Sequence, residues 1–143
     1  MLIKGDVNLK ESSFQLIGKP QINKISFETN KEFIFKDEIF LEVSNNVQIN
    51  KNCDEQKHDS VVILNLGIFT SVNLAEAPFK MNLEIEGHFM WDDLLAKDME
   101  QLDIVLKKNA PAILYSYLRP IITLITVEAN MPPLVMPLMN FCE

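Results

Sequence analysis

The chain has 143 residues, 48 % of them hydrophobic, with a formal net charge of −7. That length suits one domain spanning residues 1–143, and the acidic balance excludes binders of nucleic acid or anionic membrane, which need a surplus of Lys and Arg. A slightly positive mean hydropathy in so acidic a chain means more apolar side chains than one small protomer can bury, which predicts subunit packing.

No apolar run appears in the opening MLIKGDVNLKESSF, so no secretory leader is expected. Cys53 and Cys142 form no disulfide framework, and a cytoplasmic protein is the expectation. Four strands are predicted. Residues 22–28 alternate, with Ile25 and Phe27 against Lys24, Ser26 and Glu28. Residues 39–49 set Ile39, Leu41 and Val43 against Phe40, Glu42 and Ser44, the polar run 50–60 is a loop, and 61–73 has the β-branched composition of a central strand. The fourth strand has the cleanest period of two. Phe79, Met81, Leu83, Ile85, Phe89 and Trp91 share one parity, and Lys80, Asn82, Glu84, Glu86 and His88 the other, so one face is buried and one is wet. The fold class is α+β: a four-stranded antiparallel sheet, drawn as a meander, with two helices packed on one face.

Asp92 and Asp93 suit a helix N-terminus, Leu95, Met99, Leu102 and Leu106 form an apolar stripe, and Asn109 takes the left-handed position that stops the helix. Pro111 opens a second helix. Its Ile113, Leu114, Tyr117, Leu118, Ile121, Ile122, Leu124 and Ile125 leave only a narrow polar line of Ser116, Arg119, Thr123 and Thr126. So little wet surface calls for cover on two sides, by the sheet and by another subunit. Ile113, Leu118, Arg119 and Thr123 are the interface candidates. Pro120 is expected to kink this helix or to begin a separate one. Stable membrane insertion is not expected, because Arg119 sits mid-segment and a central Arg costs about 2.5 kcal/mol or more. In residues 130–141, Pro132, Pro133 and Pro137 forbid helix, so the chain runs extended, presenting Leu134, Val135, Met136, Leu138 and Met139.

Catalytic and cofactor chemistry is not visible. Four glycines leave no phosphate-cradling loop, and no GxSxG elbow exists. Cys53, Asp54, His58 and Asp59 share a polar loop, but one thiol and one imidazole fall short of a zinc set, and the loop reads as solvated. Glu86 and His88, two apart on a wet strand face, read as surface rather than an acid–base pair. No enzyme, no metal and no cofactor are expected. Two constellations remain. Glu28, Glu42, Glu84 and Glu86 on the wet face are either solubilising charge or a docking plate for a basic partner. Met131, Met136 and Met139, with the prolines, supply adaptable contacts in a pre-ordered segment. Lying over a helix, that segment would leave a groove suited to unfolded chain.

These residues resemble the SecB protein-export chaperones. Ile25-Ser26-Phe27-Glu28 matches the family's first-strand ISFE. The P-x-I-L-Y/F-x-Y-x-R pattern is met by Pro111, Ile113, Leu114, Tyr115, Tyr117 and Arg119. Met131, Pro132 and Leu134 match its F/M-P-x-L turn, and Pro137, Asn140 and Phe141 its closing P-x-x-N-F. The resemblance covers about residues 20–141, the middle by strand pattern. It implies a homotetramer, a dimer of dimers, that holds non-native preproteins without ATP in apolar grooves beside the helix and the Pro-rich loop. Tyr115, Tyr117, Met131, Pro132, Leu134, Met136 and Leu138 are the candidate groove residues. It also implies hand-over to SecA through the acidic sheet face, here Glu28, Glu84 and Glu86, whereas some SecB-like proteins serve one antitoxin instead. Lys24 stands where the family often has an acid, Asn82 where an apolar docking residue is usual, and the sequence ends before the family's C-terminal helix and acidic tail.

Overall fold

The computed structural model describes residues 13–36, 38–54 and 56–141; Cys142 and residues 1–12 of the segment read for a leader lie outside them. Four strands, β1 (Phe14–Thr29), β2 (Val43–Lys51), β3 (Asp59–Ile68) and β4 (Phe79–Trp91), form one antiparallel sheet in the order β1-β4-β3-β2. The expected meander therefore needs correction. Strands β2 to β4 do follow one another, but β1 crosses to the far side and pairs with β4, a Greek-key order with residues 30–42 as the long connection. Length and aromatic matching explain the choice. The 16-residue β1 lies along the 13-residue β4, where Phe14 stacks on Phe89 at 5.2 Å and Phe27 meets Phe79 at 5.3 Å.

β1 begins at Phe14, not near residue 22. Gly18 and Pro20 look like a strand break, yet they form a bulge: the register slips between Ile17 and Gln21, with Gly18 at φ 67. Residues 39–42 are not strand, and Phe40 is 94 % exposed. β4 alternates along its whole length as expected, odd positions buried and even ones facing outward.

The helical layer is α1 (Asp93–Lys97), α2 (Met99–Ile104), a π-helical turn (Val105–Asn109) and α3 (Ala110–Glu128). Asp92 and Asp98 cap α1 and α2, accepting from the Leu95 and Gln101 amides. Asn109 does not stop a helix; it has right-handed helical angles, and the chain runs on into α3. The π turn, in which the Ala110 amide bonds the Val105 carbonyl, widens the coil just ahead of Pro111, whose ring would clash with a regular preceding turn. The left-handed stop lies at Asn130 instead, at φ 59, where the Asn130 amide bonds Val127 O and the Met131 amide bonds Thr126 O in a Schellman motif. α3 continues unbroken through Pro120, so no separate helix begins there.

The core lies between the helices and one face of the sheet, odd positions on β4 and even ones on β3. Leu64, Leu66, Met81, Leu83, Ile85 and Phe89 meet Leu106, Leu114, Leu118 and Ile122. Gly87 lets α3 come close, since a Cβ there would sit 2.8 Å from the Leu114 side chain. Residues 99–128 are long and apolar enough for a bilayer span, yet their Leu102, Leu106, Leu114, Leu118 and Ile122 are buried in this core.

A candidate polypeptide-binding cleft

After the Asn130 stop, residues 131–141 lie extended along α3 as a strap, held by side chains that donate to its backbone. The Tyr115 hydroxyl donates to Pro137 O at 2.5 Å, and Thr123 Oγ1 to Leu134 O at 2.7 Å. Arg119 Nε and Nη2 both donate to Met136 O, at 3.1 and 2.8 Å. In return the Leu134 amide donates to Thr126 Oγ1 at 3.0 Å. Burial pushes the Tyr115 hydroxyl's pKa up, and the nearby Arg119 charge opposes this. The polar line read on α3 thus has a specific use, though Ser116 bonds Ile113 O instead and Tyr115 takes part.

The strap forms one wall of a cleft of about 380 Å³ at the end of the sheet. Met131, Pro132 and Leu134 face Phe35, Ile39 and Leu41 from the 30–42 connection, over a floor that includes Phe69 and Phe79, packed edge-to-face at 5.1 Å. Lys36 is the one ionisable side chain among the described residues that line it. Such a cleft offers apolar, partly flexible contact.

Of the expected groove residues, Met131, Pro132 and Leu134 line this cleft. Tyr115 and Met136 do not present a surface: at 3 % and 1 % exposure they anchor strap to helix, because the extended chain turns Met136 inward. Tyr117 and Leu138 are exposed at 40 % and 85 %, outside the cleft lining. Sequence reasoning missed Phe35 and Phe69 and assigned Ile39 and Leu41 to a strand. The available signal was the apolar pairing of Ile34-Phe35 and Ile39-Phe40 in a stretch lacking sustained alternation.

The interface candidates lie in different surroundings. Leu118 is fully buried in the protomer, and Arg119 and Thr123 are engaged by the strap, leaving Ile113 half-buried at the helix surface. Instead, α3 shows outward Tyr117, Pro120, Leu124 and Val127, continuing from Ile113 at four- and three-residue steps.

On the outer sheet face, Asn23 Nδ2 donates to Glu84 at 3.2 Å and to Glu86 at 2.7 Å, which draws those two carboxylates together. Glu28 lies apart, opposite Lys80, and Glu84 lies opposite Lys24, so the face is mixed in charge rather than uniformly acidic. Glu42 is half-buried, with one carboxylate oxygen out of solvent.

Of the polar-loop residues, His58 and Asp59 each contact a residue outside the loop. His58 Nδ1 meets Asp93 at 3.2 Å, and His88 Nε2 meets Asp59 at 2.6 Å, so His88 partners Asp59 and not Glu86. The His88 hydrogen bond, helped by Asn52, holds the Asp59 carboxyl below the usual carboxylate range. Among the described residues, no three metal-ligating side chains converge.

The family described as preprotein translocase subunit SecB matches residues 8–143. The chain belongs to the SecB family. A protein of Methanocaldococcus jannaschii described as uncharacterized is 25 % identical over 119 residues, covering 83 % of this chain and 74 % of that one. The SecB-like chaperone of Mycobacterium tuberculosis, solved in complex with a ChAD peptide from the HigA1 antitoxin, shares the fold. It aligns with a TM-score of 0.65 at 12 % identity over 89 % of this chain and 88 % of its own.

Proposed function

We propose that this SecB-family chain is an ATP-independent holdase. It binds apolar stretches of non-native polypeptide in the cleft between strap and connection and keeps them competent for export. The observation that carries this reading is the cleft itself, an apolar, open space walled on one side by Met131, Pro132 and Leu134 and on the other by Phe35 and Ile39. It makes contact without demanding a particular sequence. Clients would be unfolded preproteins, and the work needs no cofactor. The apolar strip Ile113, Tyr117, Pro120, Leu124 and Val127 on α3 suits a helix-to-helix contact between protomers, consistent with a cytoplasmic dimer of dimers. Glu84 and Glu86, joined by Asn23, are the best-formed part of a SecA docking face; Lys24 and Lys80 dilute the remainder.

A second reading is a dedicated chaperone for one partner such as an antitoxin. It is favoured by the mixed charge of the docking face and by the antitoxin peptide bound to the M. tuberculosis neighbour. Roughly stoichiometric protein should slow aggregation of a denatured client, and Ile39→Asp, at a half-exposed cleft position, should remove that effect while the fold persists. Wild type inactive towards every denatured client would overturn the holdase. On a peptide array, many apolar hits support the general role and a single hit the dedicated one.

A further inference from the structure

The strap is seated on α3 the way a bound peptide would be. Thr123 and Arg119 are four residues apart on the helix, and they reach carbonyls two residues apart on the strap, Leu134 O and Met136 O. The geometry makes this match general. Four helical residues rise about 6 Å, and two residues of extended chain span about 6.6 Å, with their carbonyls on the same side. A one-turn ladder of donors on a helix is therefore in register with every second carbonyl of any extended chain. The Tyr115 hydroxyl, one turn further on, takes Pro137 O, one residue beyond Met136 instead of two, so the two-residue register belongs to Thr123 and Arg119 and Tyr115 adds a third donor outside it. These groups bond backbone oxygens, which all residues carry. The side-chain requirement comes from Met136, which at 1 % exposure fills a hole in the core, while Val135 and Leu138 beside it are 73 % and 85 % exposed.

We infer that the donor ladder of Tyr115, Arg119 and Thr123, with the Met136 hole, is a second binding site for extended polypeptide, occupied in this structure by the chain's own strap and taken by a client segment that displaces it. The inference rests on the polypeptide-binding reading and adds a site to it. The fitting ligand is an extended stretch with one long, unbranched or γ-branched apolar side chain flanked by residues of any type. Three features make the exchange feasible. From Leu134 onward the strap's hydrogen bonds to α3 are made through side chains and belong to no sheet ladder. Its prolines at 132, 133 and 137 carry no amide hydrogens to strengthen its hold. Its two ends lie at separate clefts, Met131 to Leu134 at the one described and Asn140 with Phe141 at another of about 310 Å³ beside Val47 and Ile49 of β2. Lifting the strap between these ends bares its seat on α3, between the two clefts.

The test follows the strap and the ligand together. A spin label is placed at Leu138→Cys, where the side chain is 85 % exposed, in the full-length chain carrying Cys53→Ser and Cys142→Ser. The probe is a fluorescent ten-residue apolar peptide with one central methionine. Displacement predicts that the label becomes mobile in proportion to peptide bound. Met136→Ala loosens the strap but keeps all three donors, so the peptide should bind about tenfold tighter as the competent fraction rises. Arg119→Met with Thr123→Val should free the label without peptide and weaken peptide binding about tenfold. Peptide that saturates wild type while the label stays immobile, with Met136→Ala binding no tighter, overturns the second site and leaves the holdase reading intact. Peptide that binds neither wild type nor Met136→Ala overturns both.

Discussion

Replacing Arg119 with methionine removes the strongest hold on the strap. The guanidinium gives two hydrogen bonds to Met136 O, at 3.1 and 2.8 Å, and methionine preserves much of its apolar stem. Hydrogen bonds from a charged donor contribute about 1.5–3 kcal/mol net. The cost is bounded by the free energy of docking the strap at all. Burying Met136 contributes about 1.5–3 kcal/mol, and the Tyr115 and Thr123 hydroxyl bonds about 1 kcal/mol each. Ordering opposes this by about 1 kcal/mol for each of the eight non-proline residues of 131–141, the three prolines being already constrained in the free chain. Docking is therefore marginal, and Arg119→Met, at a cost of about 2 kcal/mol, should release the strap while the sheet stays folded. The assay is hydrogen exchange at the Leu134 amide, which donates to Thr126 Oγ1 at 3.0 Å and is exposed when the strap lifts. A loss of about 2 kcal/mol speeds exchange roughly 30-fold. Thr123→Val should then cost less in the Arg119→Met background than in wild type, because both donors hold the same strap. Unchanged exchange at Leu134 in Arg119→Met would refute the reasoning.

Gly87→Val should destabilise the fold by about 1–3 kcal/mol in urea titration, since its Cβ would lie 2.8 Å from Leu114 and 2.9 Å from Leu16. Asp59 has a depressed native pKa, so it contributes stability that is full above its unfolded value near about 3.9 and is lost as pH falls through the lower native value. His88→Ala should therefore lose less stability than wild type between about pH 5 and pH 2, as read by urea midpoints. Light scattering of wild type should give a mass several times the 16.4 kDa protomer, and Leu124→Asp, on the outward face of α3, should lower it; a monodisperse wild-type monomer would contradict the interface.

Local patterns carried far, and non-local pairing set their limit. The alternation from Phe79 to Trp91 identified β4 residue by residue, because a central strand with one buried face states its period directly. The three strap prolines likewise forced an extended segment. Strand order stayed hidden, since β1 reaches β4 across 50 to 77 residues of chain and the aromatic pairs that select it, Phe14 with Phe89 and Phe27 with Phe79, are adjacent only in the fold. Gly18 and Pro20 concealed the first half of β1 because a bulge and a strand end use the same residues. Arg119 and Thr123 were visible as polar residues on an apolar helix, but their partner is a backbone, which leaves no complementary side chain to find. The apolar residues of the 30–42 connection suffered similarly: Ile39 and Leu41 looked like strand until the strap supplied the opposite wall.

The cleft between strap and connection carries the proposed function, and Met131 reports on it directly. In a spectrum of methyl-labelled methionines, titration with an unfolded apolar polypeptide should shift the Met131 resonance saturably, and Ile39→Asp on the facing wall should abolish the shift. A polypeptide that binds tightly while Met131 stays unmoved would contradict the account.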